Sequence, residues 1–130
     1  MTAVDADRTV RYATTVTRVG PLVGEFSAAG VLVWFAEGAP AELHEFAVLH
    51  EPEVRTGGVA PGDEVWIDGV LLRVLAVGDV ANDNLVTLGH LDLKANGEPT
   101  APLPGDVCVE RQPLPLPAPG SRLEIVGREA

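Results

Sequence analysis

The sequence predicts an all-β fold, a small single-domain barrel or sandwich with at most one short helical turn. Fourteen glycines and eleven prolines are spread along most of its 130 residues, which disfavours long helices. Between these breakers lie short segments rich in β-branched residues, the pattern of an all-β domain. Hydrophobic residues make up 46% of the chain, so it can bury a core. Its length fits one domain.

Eight segments are predicted as strands: residues 9–19, 30–35, 46–50, 65–67, 70–77, 85–94, 107–111 and 122–126. In the fifth segment, Val74 and Ala76 should point to one face and their neighbours to the other. The dipeptide Asp68-Gly69 tolerates positive φ and predicts a tight hairpin turn between the fourth and fifth segments.

Three further stretches complete the organisation of the chain. Residues 40–45 begin with proline and carry acidic side chains, which suits a helical turn or two. Residues 113–119 alternate proline with leucine or alanine and should cross the domain in extended form. Residues 1–7 are small and acidic and are predicted to be poorly ordered, which leaves residues 8–130 as the single β-domain.

The net charge of −10 argues against nucleic acid as a partner, because phosphate contacts need basic side chains. A negative net charge of this size either keeps the protein soluble or attracts a basic protein partner. The single cysteine, Cys108, cannot form an internal disulfide and is predicted to be a buried structural thiol. No apolar run approaches the roughly 18 residues of a membrane span, and no secretory signal pattern is present, so a cytoplasmic location is expected.

Nucleotide-binding glycine loops and Cys-x-x-Cys metal motifs are absent from the sequence, so neither a cofactor nor a metal is expected. Among the three histidines, His50 closes an apolar segment and is followed by Glu51 and Pro52. We expect the strand to end there, and functional groups commonly lie where a strand meets a loop. On spacing alone, a half-buried histidine bonded to a backbone carbonyl is favoured over a catalytic one.

Two longer blocks change that balance: FAEGAPAELHEFAVLH (residues 35–50) and VLAVGDVANDNLVTLGHLDLKANG (residues 74–97). They resemble the glucitol/sorbitol-specific IIA component of the bacterial phosphoenolpyruvate-dependent sugar phosphotransferase system. Three shorter pieces agree, TTVTRVG (residues 14–20), PLPGDVCVE (residues 102–110) and PGSRLEIV (residues 119–126). The resemblance therefore covers nearly the whole chain from about residue 10.

The resemblance implies a β-barrel-like phosphotransferase component that accepts a phosphoryl group from the carrier protein HPr. It would pass this group to the IIB component while the membrane component IIC takes up sorbitol (glucitol). His50 matches the phosphorylated histidine of the family. The family pattern often has a second histidine two residues further on, where this chain has Pro52.

The chemistry of such a transfer needs a neutral imidazole and donors for the phosphoryl oxygens. A histidine with an ordinary pKa of about 6.5 supplies a lone pair in the cytosol. Just downstream, Arg55 offers charge, Thr56 a hydroxyl, and Gly57 and Gly58 backbone N–H groups. For the two glycines an ordinary flexible turn is an equal alternative.

The other histidines carry weaker expectations. His90 is a candidate for a supporting role, but strand alternation places it with Asp92 on a face expected to meet solvent. His44 lies in the short polar turn and is expected at the surface. Around His50, the carboxylates Glu45, Glu51 and Glu53 are predicted to form a salt-sensitive docking surface for a basic partner.

Two other function classes stay open at this point. A regulatory member of the family could carry phosphate on His50 only as a signal, without transport flux. A small-molecule-binding β-barrel would carry no phosphate at all.

Overall fold

The structure is a computed structural model that describes residues 8–128. Its eight strands are β1 (Arg8–Val19), β2 (Val31–Ala36), β3 (Ala47–Arg55), β4 (Glu64–Ile67), β5 (Val70–Val77), β6 (Leu91–Lys94), β7 (Asp106–Val109) and β8 (Arg122–Arg128). They close into a barrel in the order β1-β3-β2-β6-β7-β5-β4-β8. The β2–β3 and β6–β7 pairs are parallel and the other six are antiparallel. The all-β barrel prediction is confirmed.

Local details of the predicted strands hold in the structure. Asp68 and Gly69 have φ angles of 48° and 84°, as the hairpin turn between β4 and β5 requires. Val74 and Ala76 are buried together on one face of β5, and Cys108 is fully buried in β7. The expectation of disorder for residues 1–7 lies outside the described residues.

The structure adds two short α-helices, α1 (Val23–Ala28) and α2 (Ala81–Leu88), to the predicted turn, which is a 3-10 helix at Ala41–Leu43. The prediction of a strand over residues 85–94 is wrong in its first half, since residues 85–88 end α2 and only Leu91–Lys94 is extended. Ala81 and Leu85, four residues apart, are the buried positions of α2. A short apolar run with β-branched residues does not by itself separate strand from helix.

The predicted end of a strand at His50 is also wrong, because β3 continues through Pro52 to Arg55. Proline cannot donate a hydrogen bond to a neighbouring strand, so it is tolerated at irregular positions. Pro52 pairs with Thr14 of β1, and the register of the β1–β3 pair shifts between Ala13 and Thr14. A β-bulge therefore accommodates the proline and lets β3 run past it.

The barrel interior is filled by side chains from every strand. Its largest fully buried members include Tyr12 of β1, Trp34 of β2 and Leu93 of β6. Beyond residue 50, the outward residues of β3, Glu51 and Glu53, are exposed, whereas the residue between them and the one that follows are half-buried. Residues that flank His50 along β3 thus belong to the outer wall of the barrel.

Helix α2 is fixed at both ends. At its start, the Asn82 side chain accepts from the Val59 N–H (2.7 Å) and donates to the Val59 carbonyl (2.9 Å). At its end, Gly89 has φ 63° and terminates the helix in the left-handed conformation. A Cβ at position 89 would lie 2.7 Å from the Cβ of Ala36, so a glycine is required there for packing as well.

We predict that Asn82→Ala lowers the free energy of unfolding by about 1–3 kcal/mol, because the partly buried backbone groups of Val59 lose both partners. Urea unfolding followed by circular dichroism measures this. The control is Thr87→Ala on the same helix, whose hydroxyl makes an exposed bond to the Asp83 carbonyl and should matter by less than about 0.5 kcal/mol. Equal losses in the two variants would contradict the assigned anchor.

Candidate active site

His50 lies inside the barrel, with only 1% of the residue exposed. The rings of Tyr12 and Trp34 meet its imidazole edge-on, with centroids 6.4 Å and 5.8 Å away. Both aromatic residues are fully buried. The imidazole is therefore shielded from water on its barrel side.

Both ring nitrogens of His50 have a hydrogen-bond partner. Nε2 lies 2.7 Å from the carbonyl oxygen of Gly89, and Nδ1 lies 2.6 Å from the hydroxyl of Thr14. A carbonyl can only accept, so Nε2 carries the proton and Nδ1 accepts from the hydroxyl. The network thus assigns one neutral tautomer to the ring in this closed arrangement.

Burial lowers the pKa of His50 below its ordinary value of 6.5, and the hydrogen bond to the Gly89 carbonyl opposes this only partly. Desolvation penalises the charged imidazolium more than the carbonyl stabilises it. His50 is therefore neutral at physiological pH, which is the form that has a nucleophilic lone pair.

The segment after β2 positions the backbone of His50. The Glu37 N–H donates to the His50 carbonyl (3.1 Å), and the Glu37 carboxylate accepts from the hydroxyl of Thr17 on β1. Ala36 is the register partner of His50 across the parallel β2–β3 pair. The first block of residues, 35–50, thus holds the main chain of His50, while the second block supplies the Gly89 carbonyl.

His90 lies next to this carbonyl but faces away from the imidazole of His50. Its ring stacks on Phe35 with centroids 4.2 Å apart, and its Nε2 lies 3.0 Å from a carboxylate oxygen of Asp92. It shares the Asp92 side, as alternation predicts, but it is half-buried rather than open to solvent. His44 is also half-buried and donates through Nε2 to the Ala39 carbonyl (2.8 Å).

The downstream candidates for phosphoryl binding bond elsewhere. Arg55 pairs with Tyr12 at the far end of β3, and the N–H groups of Thr56 and Gly57 both donate to the Arg11 carbonyl. Gly58 packs against the Asn82 side chain at the start of α2. The described hydrogen bonds of these four residues do not bring them to His50, whose ring lies at the other end of that helix.

The three carboxylates predicted for docking are also separated from the imidazole. Glu51 and Glu53 are exposed on the outer face of β3, while His50 faces inward. The Glu53 carboxylate bonds to Arg122 (2.6 Å), and this bond chiefly lowers the pKa of Glu53. Glu45 is exposed beside a different cleft, which Arg18 and Leu49 also line.

Sequence reasoning missed the two hydrogen-bond partners of His50, Thr14 and Gly89. A signal for Thr14 existed, since it occupies an inward position between Tyr12 and Val16 in the alternation of β1. Inside the same barrel, the hydroxyl of Tyr12 and Nε1 of Trp34 are buried without a hydrogen-bond partner among the described residues. Burial raises the pKa of Tyr12 to about 12, against the opposing charge of Arg55.

No group of three or more His, Cys, Asp or Glu side chains within residues 8–128 is arranged to hold a metal ion. In the same part of the chain, neither α-helix has the length and apolar character needed to span a membrane.

The fold and the site together define a small β-barrel protein with one neutral histidine buried inside it. The crystal structure of a phosphotransferase-system IIA component from Enterococcus faecalis V583 shares this fold, with a TM-score of 0.74 and 23% sequence identity, over 91% of this chain and 99% of that one. The model of the family described as "PTS system glucitol/sorbitol-specific IIA component" matches residues 11–124, and the chain belongs to that family.

Two curated relatives agree with this assignment. The glucitol/sorbitol-specific EIIA components of Shigella flexneri and Escherichia coli (strain K12) are each 40% identical to this chain over 120 residues, which is 90% of this chain and 95% of each relative. The resemblance inferred from the sequence blocks is confirmed. The chain is thus a phosphocarrier component of a sugar phosphotransferase system, and its partners belong to that cascade.

We predict that the buried His50 makes the protein less stable as the pH falls below about 6.5. The unfolded chain then binds a proton on this histidine that the folded chain does not, because the folded pKa is lowered. The loss has a slope of at most about 1.4 kcal/mol per pH unit for one proton and ends below the folded pKa.

Urea unfolding between pH 7.5 and 5 measures this slope, and His50→Gln should flatten it. The matched control is His44→Gln, which removes a histidine whose ring bonds a turn outside the barrel core. If the control flattens the slope and the His50 variant does not, the assignment to His50 is wrong.

Proposed function

We propose that His50 accepts a phosphoryl group from phosphorylated HPr and passes it to the IIB component, which phosphorylates glucitol (sorbitol) entering through the membrane component IIC. Residues 8–130 act as one IIA-type domain in the cytoplasm, where these carriers meet. The observation that carries the proposal is the place of His50: both family blocks converge on its imidazole, which is neutral and fixed through both nitrogens. Family membership supplies the reaction class.

We propose Nε2 as the reacting atom. Nδ1 faces Thr14, which is 0% exposed in the middle of the β1–β3 sheet. Nε2 faces Gly89, whose neighbour Leu88 is 53% exposed. The shorter path from solvent to the ring therefore ends at Nε2.

Attack through Nε2 requires the other neutral tautomer, and Thr14 can support it. A hydroxyl both donates and accepts, so Thr14 can take a hydrogen bond from a protonated Nδ1 once Nε2 has lost its proton. The Gly89 carbonyl cannot support that form, since it has no proton to donate. The hydrogen bond between Nε2 and the Gly89 carbonyl must therefore break when the ring changes its tautomer.

In the transfer step, the Nε2 lone pair forms a bond to phosphorus as the P–N bond of the donor phosphohistidine breaks. The bonding electron pair returns to the donor nitrogen. The step needs in-line positioning and donors for the equatorial oxygens. Supporting roles for Arg55, Thr56, Gly57, Gly58 and His90 in binding these oxygens stay predictions.

We predict that one phosphoryl group is taken up and that it resides on His50. With phosphoenolpyruvate, enzyme I and HPr, the chain should gain one acid-labile phosphate, measured by intact mass before and after acid treatment. His50→Gln should lower this uptake by at least about 100-fold, because the nucleophile is removed. His44→Gln and His90→Gln are the controls and should retain uptake. Undiminished phosphorylation of the His50 variant would overturn the proposal.

We predict that Pro52→His speeds transfer from HPr by at least about tenfold, as an added acid–base or hydrogen-bonding ring can do. Residue 52 lies two positions from His50 on the same side of β3 and is half-buried, so the new ring would point toward the site. The measurement is the rate of phosphorylation at matched thermal stability. Pro52→Gln separates the added ring from the loss of proline, and equal rates for the two variants would contradict a lost helper.

A further inference from the structure

We propose that the phosphorylated donor protein docks in the apolar cleft beside the Gly89 turn, and that docking displaces this turn to uncover Nε2 of His50. This inference rests on the proposed function and assigns it a surface. The occupant is a carrier protein that presents apolar side chains surrounded by basic ones. It is a different surface from the one around Glu45, Glu51 and Glu53 that the sequence predicted.

The imidazole of His50 is enclosed on its barrel side. Tyr12, Thr14 and Trp34 surround the imidazole on the barrel side, and each is 0% exposed. On the remaining side the ring meets the Gly89 carbonyl, which belongs to the connection between α2 and β6 rather than to the barrel wall. A donor phosphate must approach from this side, because the other directions lead through packed strands.

An apolar cleft lies on the Gly89 side of the ring. A cleft of about 450 Å³ opens beside the Gly89 turn, lined by the end of β2, the turn and 3-10 segment that follow it, and the last two residues of α2. Leu43 and Leu88 contribute apolar side chains, and Ala36 joins the cleft to His50 as its register partner. Leu88 is 53% exposed, and Val86 on the same helix is 47% exposed.

The segments that line the cleft are acidic. Residues 35–43 and 81–93 contain all the lining residues and hold four carboxylates, Glu37, Glu42, Asp83 and Asp92, with no lysine or arginine. Such a field attracts a basic partner and speeds its encounter. An apolar centre inside a charged rim is the usual anatomy of a protein–protein contact.

The outer face of β3 lacks this access to the ring. Glu51 and Glu53 stand on the side of the strand opposite the imidazole, and Glu53 is engaged by Arg122 and Thr15. A partner bound there would have the β-sheet between its phosphate and Nε2. We therefore assign the productive contact to the cleft.

The test compares two phosphoryl donors of different size. Phosphorylated HPr must dock to displace the turn, whereas phosphoramidate is a small molecule that needs no protein surface. It reaches Nε2 when the turn opens unaided, so its slower reaction reports on His50 without the docking contact. Leu88→Ser should slow uptake from HPr by about tenfold or more, the effect of losing a well-packed interface residue. Uptake from phosphoramidate should stay within about twofold of wild type. The control is Leu116→Ser, another exposed leucine (61%) away from the cleft, which should match wild type with both donors.

Each other outcome counts against the docking surface. Wild-type rates for Leu88→Ser with HPr, or equal losses for both donors, would overturn it, as would a tenfold loss in Glu51→Lys without one in Leu88→Ser. A concentration-dependent dimer abolished by Leu88→Ser, seen by sedimentation, would assign the cleft to a second copy of the chain. Failure of the proposed function looks different, because wild type would then take no phosphate on His50 from either donor.

Discussion

The hydrogen bond from the His50 imidazole to the Gly89 carbonyl ties the end of a surface helix to the inside of the barrel. Several neighbouring contacts hold Gly89 in the position that this bond requires. The left-handed φ of Gly89 ends α2, and the absence of a side chain lets the turn lie against Ala36. Asn82 fixes the start of the same helix on the Val59 backbone. A shift in either anchor would leave a buried ring nitrogen unpaired, at a cost of about 1–3 kcal/mol.

Shielding and reactivity make opposite demands on this histidine. Burial keeps the ring neutral, and in the proposed relay it also excludes the water that would hydrolyse a phosphohistidine. The same burial hides the lone pair from a donor. The Gly89 turn reconciles the two demands, because one hydrogen bond joins it to the ring, and a net hydrogen bond of about 1 kcal/mol is within reach of docking energy.

The sequence carries much of the architecture and the identity of the central histidine. Glycines, prolines and β-branched segments sufficed for the barrel, and the two family blocks singled out His50. Alternation along β1 marks Thr14 as an inward residue, but its pairing with the ring could not be predicted. Thr14 and Gly89 are 36 and 39 residues away from His50 in the chain and meet it only through strand register and helix placement. Local patterning also failed at residues 85–88, where helix and strand preferences overlap. It failed again at Pro52, where a bulge in β3, which leaves Glu53 without a register partner on β1, lets the strand continue.

The one-sided burial of the imidazole also has a kinetic consequence for a relay. In the proposed relay, a donor and an acceptor protein must both reach the ring through the same opening, because Nδ1 is bonded to a threonine in the middle of a sheet. They cannot form a ternary complex with the phosphate in transit, so turnover alternates between two half-reactions. Spent donor that lingers at the opening then delays the acceptor, and flux depends on how fast each carrier departs.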